Sequence, residues 1–300
     1  MNEPRPRRGL SYPDDCPVEL RIERNDARYP SELEDLRENA PPHLWLRGSL
    51  DQLEVRPRVA IVGTRRATPY GQRVTRELTG AFVRAGACIV SGLARGIDAA
   101  AHRTALELDG VTIAVLGTGL DIAYPVGHRD LQRTIARQGV LITELDPQEV
   151  GAPWTFPKRN RIIAALTSLT IVVEAGPKSG ALNTAEHARD LQRTVAAVPG
   201  PIDQPQSAGT NELIRDGAHM LASIEDALAL AGLTSPPRAP RVDPTGDVGL
   251  VWTALADGAL DLDSLCHRSG LPAAQCMAAV TRLEIGGSIE CALTGEIRRR

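Results

Sequence analysis

Residues 58–71 read RVAIVGTRRATPYG. An apolar run of this length, broken by neither polar alternation nor helical spacing, suits a strand buried on both faces of a parallel sheet. It ends in Gly63-Thr64-Arg65, and a helical pattern follows from Tyr70 to Ala85. The same unit recurs downstream. ACIVSG (87–92) gives way to LARGID and a helix through about residue 108. VTIAVLG (111–117) leads to a loop with Tyr124-Pro125, a helix near 129–138 and the strand VLITEL (140–145). A basic turn, FPKRN, then opens a helix to about residue 167. LTIVVEA (169–175) is followed by GPKSG and a helix over 181–191, and TVAAVPG (194–200) closes the series. Six strands alternating with helices predict an α/β fold with an extended Rossmann-type, doubly wound, mostly parallel sheet.

Right-handed crossovers bring the strand-end loops to one side of such a sheet, where ligands bind. Here those loops read GTR, SGLARG, GTGLD, FPKRN and GPKSG, with a cation in four of the five. Arg65, Arg95, Lys158, Arg159 and Lys178 are therefore expected along one rim. The glycines among them let backbone approach a ligand and offer N–H groups to phosphate oxygens. FPKRNRII (156–163) concentrates this chemistry: Lys158, Arg159 and Arg161 stand beside Phe156 and Asn160. A proline after the ring suggests a defined loop at a helix start, with guanidinium forks for phosphates and a ring for a base. Taken alone, the segment also fits a solvated basic turn.

Composition narrows the classes. With 300 residues, 42% hydrophobic and 24% charged, a sizeable core in one large and one small domain is expected. A net charge of −3 argues against coating nucleic acid by bulk charge, so anion binding must be a local patch. Five scattered cysteines (16, 88, 266, 276, 291) include no CxxC pair, and no histidine cluster has zinc spacing. No apolar h-region or membrane-length run is present, giving a cytoplasmic reading without membrane insertion.

The expected domains are a partly disordered lead-in (1–57), the Rossmann-type domain (58–233), a proline-rich linker (234–246) and a winged-helix domain (247–300). Within the lead-in, SELEDLREN (31–39) suggests a helix capped by Ser31 with Glu34 completing a capping box, and HLWLRG a strand. The C-terminal unit reads as three helices and a hairpin with Thr294-Gly295 at its tip. Its third helix carries one arginine and no lysine, which favours a protein contact over duplex reading. Arg298–Arg300 remain possible nucleic-acid contacts. Asp98 is expected to cap a helix or to order a loop, and Glu174 to order the arginines. Lys178-Ser179-Gly180 resembles a P-loop fragment, but GxxxxGK[ST] is not met.

The motifs GTRRATPYG, SGLARGIDAAAH, FPKRNRIIAAL, VVEAGPKSGALNTAEHA, AVPG and GTNELIRDGA occur in the order and spacing of the DNA-processing protein A (DprA/Smf) family. The resemblance spans about residues 29–228. It implies a dimer that binds single-stranded DNA and helps load a RecA-type recombinase during natural transformation, with no cofactor and no catalysis. Thr64 stands where the family has serine, and Gln192-Arg193 where it has Gly-Arg or Gly-Lys, which adds Arg193. The dimer and recombinase surface would fall near residues 211–228. A helix-hairpin-like domain before the Rossmann unit is expected to be absent or reduced. The candidate DNA contacts are Gly63, Thr64, Arg65, Arg95, Phe156, Lys158, Arg159, Asn160, Arg161, Lys178, Ser179 and Arg193. The alternatives are a nucleoside monophosphate phosphoribohydrolase-like enzyme, whose PGGxGT-E pattern is missing, or a nucleotide sensor.

Overall fold

The computed structural model describes residues 19–234, 245–256, 258–285, 288–292 and 295–299. Most of the expected lead-in disorder, most of the linker, Thr294 of the wing tip and Arg300 fall outside the described residues. The central strand β3 (Arg58–Val62) is buried at all five positions. Val59 and Ile61 enter one core and Ala60 and Val62 the other, because successive side chains leave a strand on opposite faces.

Parallel strands flank it: β4 (Cys88–Ser91), β5 (Thr112–Val115) and β6 (Val140–Thr143) on one side, β7 (Leu169–Val172) and β8 (Thr194–Ala197) on the other. Helices α1 (Pro69–Arg84), α2 (Ile97–Glu107) and α3 (Arg129–Gln138) follow β3, β4 and β5, while α4 (Thr155–Ala165) and α5 (Gly180–Asp190) follow β6 and β7. Further on lie α6 (Ala208–Arg215), the short strand β9 (His219–Met220) and α7 (Ile224–Leu230). The apolar faces of α1, α2 and α7 fill one core, and those of α4 and α5 the other.

The sheet is larger than the six strands expected. Strands β1 (Leu20–Glu23) and β2 (His43–Gly48) extend it antiparallel beyond β6, and β9 pairs parallel with β8, giving nine strands in the order β1-β2-β6-β5-β4-β3-β7-β8-β9. Residues 20–23 and 43–48 of the lead-in thus belong to the same sheet as the parallel strands. The SELEDLREN segment is a 3₁₀ stretch, kinked where Arg37 takes φ 54°, and it starts without a side-chain cap. Glu34 is drawn to Arg24 instead of closing a capping box.

The order of strands reverses at β3. Successive strands run outward to β6, then the chain returns over one face through α4 and continues from β7 on the other side. Loops leaving β3 and β7 therefore diverge to opposite faces and open a crevice between them.

The C-terminal unit comprises α8 (Gly246–Ala254), α9 (Leu262–Ser269), α10 (Ala273–Ile285) and the antiparallel pair β10 (Ile289–Cys291) and β11 (Ile297–Arg299). Asp261 caps α9 by accepting from Ser264 N at 2.7 Å, and Gly270 at φ 70° ends it. Leu265, Cys276, Val280, Leu283 and Ile289 meet in its own core. Arg299 lies 4.1 Å from the Trp252 ring centre and Arg298 reaches Glu290, so both are engaged within the unit.

Candidate nucleic-acid interface

The loops at the crevice are held by backbone contacts and two buried carboxylates. Thr64 N donates to the Glu174 carbonyl at 2.7 Å, closing the β3 loop onto the β7 loop. A side chain at Gly63 would stand 2.5 Å from Ile97 Cγ1, so only glycine permits this approach. Asp98 accepts from Gly92 N at 3.1 Å and Ala94 N at 3.4 Å, ordering the β4 loop as its sequence position suggests. Burial pushes its carboxyl up, against the attraction of Arg159. Glu174 differs from expectation. It accepts from Thr68 N at 2.9 Å and from the Thr68 hydroxyl, so it fixes the start of α1 and does not order the arginines.

FPKRN is not a loop before a helix; it forms the first two turns of α4. Pro157 is tolerated there because first-turn N–H groups need no intrahelical partner. Helical spacing then splits the motif. Phe156, Arg159 and Asn160 share one face and Lys158 and Arg161 another, since residues three and four apart are neighbours on a helix.

On the first face, Thr155 Oγ1 donates to the Gly117 carbonyl at 2.7 Å, and the Phe156 ring lies against Gly117, where a Cβ would meet it at 2.6 Å. Arg159, 6% exposed, donates through Nη1 to the carbonyls of Gly92 (2.8 Å) and Val115, and through Nε to Asn160 Oδ1 (3.2 Å). Burial lowers its pKa to about 10, with Asp98 opposing and Arg65 adding to the shift; it stays a cation at neutral pH. Asn160 donates to the Gly180 carbonyl at 3.1 Å and to Asn183 Oδ1 at 3.2 Å. Arg159 and Asn160 thus join α4 to the ends of β4 and β5 and to the start of α5.

Two adjoining cavities open at this rim. One, of about 530 Å³, lies at the strand-order reversal. Gly63, Thr64 and Arg65 line it from the β3 loop, Lys178 and Ser179 from the β7 loop, and Phe156, Arg159 and Asn160 from α4. Arg65 and Lys178 are exposed and carry no ion pair among the described residues. Ser179 caps α5, accepting from Ala181 N at 3.4 Å. The second cavity, about 610 Å³, lies past Phe156 and is lined by Arg65, Arg66 and Arg95 together with Tyr124 and Val126. Tyr124 and Phe156 sit with ring centres 4.6 Å apart. Arg66 and Tyr124 were not singled out from sequence. The second arginine of GTRR, and a tyrosine in a chain with 3% aromatics, were the available signals.

Lys158, Arg161 and Arg193 do not join that rim. They line a separate cavity of about 940 Å³ that also holds Asp35, His187 and Asp190. Arg161 grips both oxygens of Glu144 at 2.8 Å, and Lys158 Nζ reaches the same carboxylate at 3.2 Å. Burial pushes the Glu144 carboxyl up, but the two cations outweigh it and hold its pKa below the usual range. Arg193 pairs with Asp35 at 2.6 Å. Among the described residues no cluster of His, Cys, Asp and Glu is placed to hold a metal ion, and no helix is long and apolar enough to cross a membrane.

The family model described as DNA recombination-mediator protein A matches residues 21–232, and the DprA winged helix domain matches residues 235–292. The protein Smf of Escherichia coli is 36% identical over 271 residues, covering 87% of this chain and 72% of its own. The X-ray structure of DNA processing protein A from Streptococcus pneumoniae superposes with a TM-score of 0.67 at 40% identity, over 70% of this chain and 73% of that one. DNA processing protein A from Helicobacter pylori, whose structure describes a single-stranded DNA binding mode, superposes with a TM-score of 0.64 at 30% identity, over 71% of this chain and 95% of that one.

Proposed function

The chain belongs to the DNA recombination-mediator protein A family, and from that premise we propose that the two adjoining cavities bind single-stranded DNA. One observation carries the reading. Arg65 and Lys178, brought together from loops far apart in sequence, open onto one cavity floored by the buried cation of Arg159, with no ion-pair partner among the described residues. Phosphates run along the Arg65 and Lys178 side, beside the start of α5, where N–H groups favour anions. A base stacks at Phe156 and Tyr124, since every base has a face for an aromatic ring.

The protein acts in this reading as a cytoplasmic dimer that protects incoming DNA and delivers it to a RecA-type recombinase during natural transformation. It is a binder, not an enzyme, in this reading: Asp98, the carboxylate among the described residues that line the two cavities, is committed to the loop N–H groups of Gly92 and Ala94. The contacts proposed at the rim are Gly63, Thr64, Arg65, Arg95, Phe156, Lys178 and Ser179. Lys158, Arg161 and Arg193 are assigned to ion pairs instead.

Fluorescence anisotropy with oligothymidine and with a duplex of equal length tests this. Tight single-strand binding that weakens as salt rises is expected. Equal affinity for the duplex overturns the reading.

A further inference from the structure

We propose that the cavity between the 3₁₀ stretch of residues 31–39, α4 and the end of α5 is a second ligand site, which takes a free ribonucleoside phosphate. It measures about 940 Å³, within the range of small-molecule sites, and shares no lining residue with the two rim cavities. The reading is independent of single-strand binding.

Backbone strain converges on this cavity. Of the four non-glycine residues at positive φ among the described residues, Arg37 (φ 54°) and Gln192 (φ 55°) both line it. Arg37 combines that φ with ψ −115°, outside the left-handed helical well. Gln192 stands just past the end of α5, where helices favour glycine. Strained non-glycine positions gather where side chains are put to use. Neither side chain holds a hydrogen bond or ion pair among the described residues. Arg193 donates through Nη2 to Asp35 at 2.6 Å, while its Nε is buried with no partner among the described residues, a donor left for an incoming acceptor.

The unused groups match the three parts of a nucleotide. For the phosphates there are the Arg37 guanidinium and Arg193 Nε. Lys158 and Arg161 share the single carboxylate of Glu144, which leaves one positive charge in excess beside them. For the base, the Asn39 and Gln192 amides each carry a donor and an acceptor, as a purine edge requires, and Leu36 and Leu191 give apolar surface for its ring. Glu34 and Asp35 are matched by Arg24 and Arg193, so Asp190 is the carboxylate of the lining left to accept from sugar hydroxyls.

Calorimetric titration of the full chain with ADP and with GDP, repeated in saturating oligothymidine, tests the site. At least one nucleotide is expected to bind with a Kd below about 100 μM, and oligothymidine should not displace it. Adenosine, guanosine and inorganic pyrophosphate, each missing a part of the ligand, should bind about tenfold more weakly or worse, and the 2′-deoxynucleotide should lose the Asp190 contact by a similar factor. Arg37→Gly and Gln192→Gly remove a side chain and relax its backbone, so each should weaken nucleotide binding about fivefold or more without lowering the urea midpoint. No binding of either nucleotide at about 1 mM, displacement by oligothymidine, or full affinity in both glycine variants overturns the site. A chain that binds nucleotide but no oligothymidine would instead remove the single-strand reading and leave this one standing.

Discussion

Arg159 Nη1 and the Gly92 carbonyl oxygen are 2.8 Å apart, a bond that ties the face of α4 to the end of β4 across 67 residues of sequence. The fit is close: a Cβ on Gly92 would lie 2.5 Å from Arg159 Nη2. Arg159 therefore supports the rim from below more than it reaches a ligand. Arg159→Ala would strand the Gly92 and Val115 carbonyls and leave Asp98 without its nearby cation. A loss of about 2–4 kcal/mol is expected, read as a lower urea midpoint. A midpoint equal to that of the parent chain would show that the guanidinium is dispensable to the fold.

Arg65 and Lys178 should behave oppositely. Both are exposed, so Arg65→Ala and Lys178→Ala are expected to change stability by no more than about 0.5 kcal/mol. Each should weaken oligothymidine binding and reduce the slope of log affinity against log salt by about 0.7, the share of one single-strand phosphate contact. A salt slope untouched by both substitutions would place the phosphates elsewhere.

Arg161 belongs to the fold. Its side chain and that of Glu144 are 9% and 10% exposed, and removing one partner leaves the other charge buried and unmatched. Arg161→Ala is expected to cost about 3–5 kcal/mol. Lys158→Ala should weaken DNA binding less than Lys178→Ala, because Lys158 is paired with Glu144. Parallel unfolding and anisotropy measurements on the three variants check the ranking, and the reverse order for the two lysines would return Lys158 to the rim.

His102 sets an acid response. Burial, with Arg159 and His128 adding to it, lowers its pKa to about 3 from 6.5. Its Nδ1 lies 2.7 Å from Thr112 Oγ1, whose own proton goes to the Ile89 carbonyl, so Nδ1 carries the hydrogen. Between the two pKa values the unfolded chain binds a proton that the folded chain refuses. Stability is thus whole above the unfolded value and falls as pH drops, with a limiting slope of about 1.4 kcal/mol per pH unit. Urea unfolding at several pH values should show this decline, and His102→Gln should remove it in the range above the carboxylate titrations. A parent and variant with equal pH slopes would argue that the imidazole protonates in place.

Much of the fold was legible in the chain itself. The apolar run at 59–62 and its five successors announced a parallel sheet, because strands buried on both faces leave no room for polar alternation. The glycines and cations at their ends marked the rim, and a short C-terminal unit was readable from its helical spacing. The strand order was not: pairing between β3 and β7, 110 residues apart at the Ala60–Thr170 register, depends on which faces the helices cover, a sum over contacts that no local pattern encodes. The split of FPKRN had the same origin. Read as a loop, its cations point together; wound into α4, Lys158 and Arg161 turn to Glu144 while Arg159 turns beneath the cavities. Sequence by itself determined which residue types gather at the strand ends. Tertiary structure alone decided which of those charges are left free, because a cation is available to a ligand only where packing has given it no carboxylate or carbonyl of its own.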